Sequence, residues 1–208
     1  MERVLDEYVA AQAANAERPE AQLNLGWSYI QRGDLSAAEE AFCRALEIDP
    51  DLVAAHVNLA DLYRVQGRDG EGEAVLLRAQ ALAPDDGDVY YALGLLYVRR
   101  GRQEAAAEAL RNAAQLRPEM ARYTYVYGAA LHALGESSLA LEILGEAHDR
   151  MPGDEELLLG MITISREIGE IDMAIDYAGR LADLRPRDPE VRRLLEELQA
   201  ERREGRER

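Results

Sequence analysis

Three histidines and one cysteine are the side chains in this sequence best suited to proton transfer, nucleophilic attack or binding of a soft metal. Their spacing assembles none of these chemistries. His56, His132 and His148 are scattered, no HExxH places two of them on one helical face, and no GxSxG, GxGxxG or phosphate-binding glycine loop occurs. Cys43 stands alone, which excludes an intrachain disulfide, a cysteine zinc cluster and a CxxCH haem attachment. With no base implied beside it, the thiol reads as partly buried and inert. Carboxylate pairs such as Glu39-Glu40 and Asp85-Asp86 read as solvated helix faces and turn residues. Asp49, Asp51, Asp85 and Asp86 flank prolines, where aspartate suits turns and helix N-caps. No catalytic, cofactor-binding or metal residue is assigned, and the chain is read as a non-enzyme.

The elements that carry these residues repeat. Glycine recurs at Gly33, Gly67, Gly101, Gly135 and Gly169, each 34 residues after the last. Proline recurs at the same interval, at Pro50, Pro84, Pro118, Pro152 and Pro186, 17 residues after each glycine. Each unit thus divides into two segments of similar length. Leu25, Gly26 and Tyr29, then Ala38, Phe42 and Ala45, form apolar stripes of helical period on either side of Gly33. Leu93, Gly94, Tyr97, then Ala106, Leu110 and Ala113 repeat them around Gly101. The glycine can end the first helix with a positive φ, and the proline cannot continue the second. The expectation is an array of helical hairpins. Gly26, Ala60, Gly94 and Gly128 on the first helices, with Ala38, Gly72, Ala106 and Ala140 on the second, let the pair approach closely. Tyr29, Phe42, Leu76 and Leu110 fill the holes. In this frame His56 takes a position that commonly packs, His132 falls near the end of a first helix and His148 on a second helix.

Composition narrows the partners. The chain has 208 residues, 48% apolar and 31% charged, with no apolar run of spanning length. Acidic residues number 40 against 24 basic ones, giving a formal net charge of −16, which disfavours nucleic acid and anionic membrane surfaces. Every basic residue is arginine and alanine is abundant. That fits a GC-rich bacterial genome or, alternatively, adaptation to high salt. The start, Met1-Glu-Arg-Val-Leu-Asp-Glu, has no apolar h-region, so no signal peptide is read in this chain. It is either cytoplasmic or a piece of an exported, periplasmic protein.

The run LGWSY at Leu25 to Tyr29, with Ala38, Phe42, Ala45 and Pro50, resembles the tetratricopeptide repeat, whose 34-residue pattern it follows almost position by position. The resemblance implies an all-α fold, an α-solenoid wound as a right-handed superhelix of helix-turn-helix repeats. Repeats are assigned at 19–52, 53–86, 87–120, 121–154 and 155–188. The fifth departs from the pattern, with Ile162 for a small residue, Ser165 for tyrosine and Leu181 for alanine. Val191, Leu194, Leu195 and Leu198 predict a capping helix from Pro189, and a charged tail follows from about 203, within a terminal segment of 189–208. Val4, Leu5, Tyr8 and Ala11 follow the second-helix pattern and predict a half-repeat or cap over 1–18. The wording of ERPEAQLNLG and ARYTYVYGAALHALG is also similar to C-terminal repeat arrays of bacterial multihaem cytochromes, without any haem motif.

Family membership would make the chain a protein–protein interaction scaffold whose concave face binds an extended or helical partner peptide. The family's lining positions fall on Asn24, Trp27, Asn58, Asp61, Arg64, Asp88, Tyr91, Arg99, Arg122, Tyr125 and His132. Asn24 and Asn58 begin an amide ladder that could hold a peptide backbone or merely be solvated. It stops there, since Ala92, Val126 and Gly160 follow. Trp27, Tyr91 and Tyr125 are amphipathic anchors or core residues, and some of Tyr90, Tyr123 and Tyr127 must be core. The chaperone-type carboxylate clamp is not expected, because Leu23, Asn58, Asp88 and Ala92 replace its cations. The expected partner carries apolar anchors and some Arg or Lys, drawn by the anionic array. The alternative is a non-catalytic C-terminal domain of a larger exported redox protein or enzyme.

Overall fold

The computed structural model describes residues 17–206. The stripe Val4, Leu5, Tyr8 and Ala11 lies outside them. Among the described residues there are eleven helices and no strand. The chain divides into two compact units at Gly101. The first holds α1 (Pro19–Arg32), α2 (Leu35–Ile48), α3 (Val53–Gln66), α4 (Asp69–Leu82) and α5 (Gly87–Arg99). The second holds α6 (Gln103–Leu116), α7 (Ala121–Ala133), α8 (Ser137–Arg150), α9 (Glu155–Glu167), α10 (Ile171–Leu184) and α11 (Pro189–Arg206).

Local chemistry sets the helix ends. The five glycines spaced by 34 are the residues with positive φ among those described. At Gly33, with φ 77°, the backbone closes a double cap: Gly33 N–H donates to Ile30 O, and Asp34 N–H to Tyr29 O at 2.9 Å. Asp34 then caps α2, accepting from Ala37 N–H at 3.0 Å. Asp86 and Asp154 do the same for α5 and α9. Helices α2, α4, α6, α8 and α10 each stop two residues before a proline. The residue between, from Asp49 to Arg185, leaves the helical region, with φ from −124° to −135° and ψ from 64° to 93°, as the proline ring disfavours a helical neighbour before it.

Packing within each unit follows the small-against-large scheme. In the first unit α1 packs on α2 and α3 on α4, and α3 also packs on α2 and α5. Phe42 is fully buried, and its ring occupies the space beside Gly26. Gly72 meets Leu96 and the Ala60 carbonyl in the same way. Phe42, Leu59, Leu62 and Tyr63 gather into one cluster with Leu23 and Tyr29 at its edge. In the second unit Gly128 receives Leu144, α7 packs on both α8 and α9, and α9 packs on α10. Each buried leucine or phenylalanine is worth about 1.5–3 kcal/mol of transfer energy, so these clusters carry the fold. In the fifth repeat the sizes are exchanged. Ile162 stands where Gly26 and Gly128 stand in their repeats and Ala178 where Phe42 and Leu144 stand, and both are buried. Helix α11 runs to Arg206, through the stretch read as a tail. Among the described residues no helix is long and apolar enough to cross a membrane.

Candidate functional site

The first helices of the hairpins carry the lining candidates, and the two units treat theirs differently. In the first unit Asn24 and Trp27 lie on the outer face of α1, both exposed, Trp27 by 45%. The Asn24 backbone carbonyl accepts from the Ser28 hydroxyl at 2.8 Å, a bond within α1. Asn58, Asp61 and Arg64 are half-buried on α3. The last two pair with each other, Arg64 to Asp61 Oδ1 at 2.6 Å. On α5, Asp88 is exposed and Tyr91 half-buried. Arg99 reaches back to Asp69 at 2.9 Å, tying the end of α5 to the start of α4. A face results that mixes one large exposed aromatic, two amides and charges that are partly self-compensated.

In the second unit all three candidates are engaged by neighbouring helices. Arg122 pairs with Glu156 of α9 at 2.7 Å and lies 5.6 Å from the Tyr125 ring centroid. The Tyr125 ring rests on Gly160, where an added Cβ would come 3.0 Å from its Cδ2. This accounts for the glycine that interrupts the amide-ladder position: a side chain there would displace the ring. His132 bonds to Ser137 Oγ at 2.8 Å through Nδ1 and to Glu167 at 2.7 Å through Nε2. These residues join α7 to α8 and α9. Arg166, 34 positions on, makes the matching bridge from α9 to Glu201 of α11.

The other two histidines and the cysteine are buried or half-buried. His56 is buried, with Nε2 2.9 Å from the Pro50 carbonyl oxygen, and His148 is buried on α8. Burial, then the charges of Glu39 and Glu47, push the Cys43 thiol up, the reverse of what a nucleophile needs. Beside it Arg68 bridges Glu39 and Glu71 and lies 4.2 Å over the Tyr63 ring, so Glu39 is held below the usual carboxylate range by its bond to Arg68. Burial, aided by the Glu39 charge, pushes the Tyr63 phenol up to about 12. Among the described residues no group of three or more His, Cys, Asp and Glu is placed to hold a metal ion.

The lining positions taken from the resemblance omitted several exposed apolar residues on first helices: Val65 on α3, Val98 on α5 and Leu159 on α9. Val98 shares the repeat position of Arg64 and His132, and Leu159 that of Tyr91 and Tyr125. Reading each position down the repeats would have found them.

Two family models, both described as tetratricopeptide repeat, match the sequence, one over residues 29–96 and the other over 3–53 and 91–155. No curated protein matches it. Among solved structures the chain is similar to PilF of Pseudomonas aeruginosa, at 24% identity over 93% of this chain and 87% of that one, with a TM-score of 0.74. It is similar to MamA at 23% identity, over 78% of this chain and 95% of that one, TM-score 0.67. YrrB, described as a TPR protein with an unusual peptide-binding site, is 20% identical over 88% and 94%, TM-score 0.63. Identities this low establish the α-solenoid fold alone, and the likeness to multihaem cytochrome arrays gains no support from them. The second family model by itself covers more than half of the sequence, and with the hairpin packing described above it shows that the chain belongs to the tetratricopeptide repeat family.

Proposed function

We propose that the chain is a non-catalytic protein–protein interaction scaffold, and that the first-helix face of its first unit takes an extended or helical segment of a partner. Tetratricopeptide proteins bind other proteins, and YrrB, of the same fold, is described as having a peptide-binding site. One observation carries the reading for this chain: its single tryptophan, Trp27, stands 45% exposed on α1, whose opposite face is packed with Leu25, Gly26 and Ser28. A large amphipathic ring left at the surface is the residue type that anchors partners. Asn24 and Asn58 supply amide donors and acceptors for a peptide backbone, and Tyr91 a second aromatic surface. The net charge of −16 favours a segment with arginine or lysine beside its apolar residues.

The test uses peptides selected from a random library on the intact chain and titrated while Trp27 emission is read. Binding shifts the emission to the blue. Asn58→Ala and Tyr91→Ala weaken it with the circular dichroism spectrum and melting temperature unchanged. Peptides whose affinity ignores both substitutions overturn the assignment of this face.

A further inference from the structure

Two steps between first helices of the second unit use the same repeat positions with different residues. At the α7–α9 step the Tyr125 ring sits on Gly160 and the gap between the helices is filled. The residues 34 positions on are Leu159 and Leu194. A branched side chain takes the place of the glycine and a smaller aliphatic one takes the place of the ring. Neither residue has the shape of its counterpart, so the fit of ring on glycine is not available at the α9–α11 step. Two clefts of about 370 and 310 Å³ stand there, each walled by both Leu159 and Leu194. Ile162 and Thr163 complete one, Leu181 and Val191 the other. Each volume lies at the low end of the range of about 300–1,000 Å³ for ligand pockets, room for one large side chain rather than a cofactor. Leu159 itself is 44% exposed between them.

The rim decides what kind of segment fits. Glu155, Asp188 and Glu190 border the 310 Å³ cleft against Arg185, while Arg166 and Glu167, the latter bonded to His132, border the 370 Å³ one. Arg166 pairs with Glu201 outside the clefts, and the single charge of Arg185 is shared by Glu155 and Asp188, so the 310 Å³ cleft keeps an excess of carboxylates. An apolar floor under an acidic rim selects an apolar side chain with a cation beside it.

We propose that the Leu159–Leu194 clefts between α9 and α11 are a second docking site, which takes one large apolar side chain of a partner segment flanked by arginine or lysine. The guest side chain plays the part that the Tyr125 ring plays one repeat earlier. The proposal rests on the reading of the chain as a protein-binding array, and adds to it a site separate from Trp27.

Its test uses the full chain and a fluorescein-labelled pentapeptide, Arg-Arg-Phe-Arg-Arg, followed by anisotropy. Control peptides replace Phe by Ser, or every Arg by Glu. The first peptide should bind and both controls should bind roughly tenfold more weakly or worse. Leu159→Tyr combined with Leu194→Gly copies the Tyr125–Gly160 pair and closes the clefts, so it should abolish the preference for Phe. Leu159→Arg, at an exposed position that the fold tolerates, should do the same by repelling the cation. Because the first-unit face takes segments of the same chemistry, the assay is run in a Trp27→Ala background, where the preference for Phe over Ser should persist until the Leu159 substitutions remove it. Equal binding of the Phe and Ser peptides, or an unchanged preference in Leu159→Arg, overturns the proposal. So does a wild-type dimer in sedimentation that the closing pair dissociates, because a second copy would then be the occupant. Loss of pentapeptide binding with Trp27-dependent ligands retained overturns this site alone, and the reverse result overturns only the first-unit assignment.

Discussion

A Cβ on Gly26 would lie 2.2 Å from Cε1 of Phe42, closer than any two non-bonded carbons can stand. The glycine is therefore a socket for the phenylalanine ring and not a flexible point in α1. Gly26→Ala gains about 1 kcal/mol of helix propensity but forces the buried ring off its rotamer, typically 1–3 kcal/mol of overpacking. Net destabilisation is expected in urea unfolding. Gly145→Ala on α8, where nothing lies within 4 Å of the added carbon, is the control and should stabilise by up to about 1 kcal/mol.

The exchanged pair of the fifth repeat predicts a non-additive cycle. Ile162→Ala should cost about 2–4 kcal/mol through the cavity it leaves. Ala178→Leu alone should overpack the same hairpin. Together they restore the small-against-large arrangement of the other repeats, so the double variant should be more stable than the sum of the singles implies. Strict additivity would show that the two residues do not share one space.

Tyr63 predicts an alkaline limit. The folded chain keeps this phenol protonated up to about pH 12, whereas an unfolded one releases it near the ordinary value of 10. Its contribution to stability is whole below about pH 10 and is lost as the pH climbs towards 12. Of the ten tyrosines, Tyr63 and Tyr127, both raised chiefly by burial, should lag in absorbance at the tyrosinate band. Tyr63→Phe should shrink the late phase; a single wave for the wild type would contradict the burial.

Trp27 and Tyr125 predict opposite outcomes for the same truncation. Tyr125→Ala removes the ring seated on Gly160 and the surface Arg122 lies against, and should lower the melting temperature of the second unit. Trp27→Ala removes an exposed ring and should leave melting nearly unchanged while reducing ligand binding. A binding defect in Tyr125→Ala is thus interpretable only beside its stability loss.

What the amino-acid order determined is everything that local geometry enforces. Glycine at 34-residue spacing, each with positive φ, and proline 17 residues later, each preceded by a residue outside the helical region, fix where helices end, because these are restrictions within one or two residues. The stripes of Leu25, Phe42 and their counterparts fixed which faces are buried. Only tertiary structure decided which lining candidates are spoken for. Tyr125 on Gly160, Arg99 with Asp69 and His132 with Glu167 join residues about 30 positions apart, and whether such groups meet depends on how one helix seats on the next. The clefts beside Leu159 and Leu194 likewise form between helices, where no reading of a single helix reveals them.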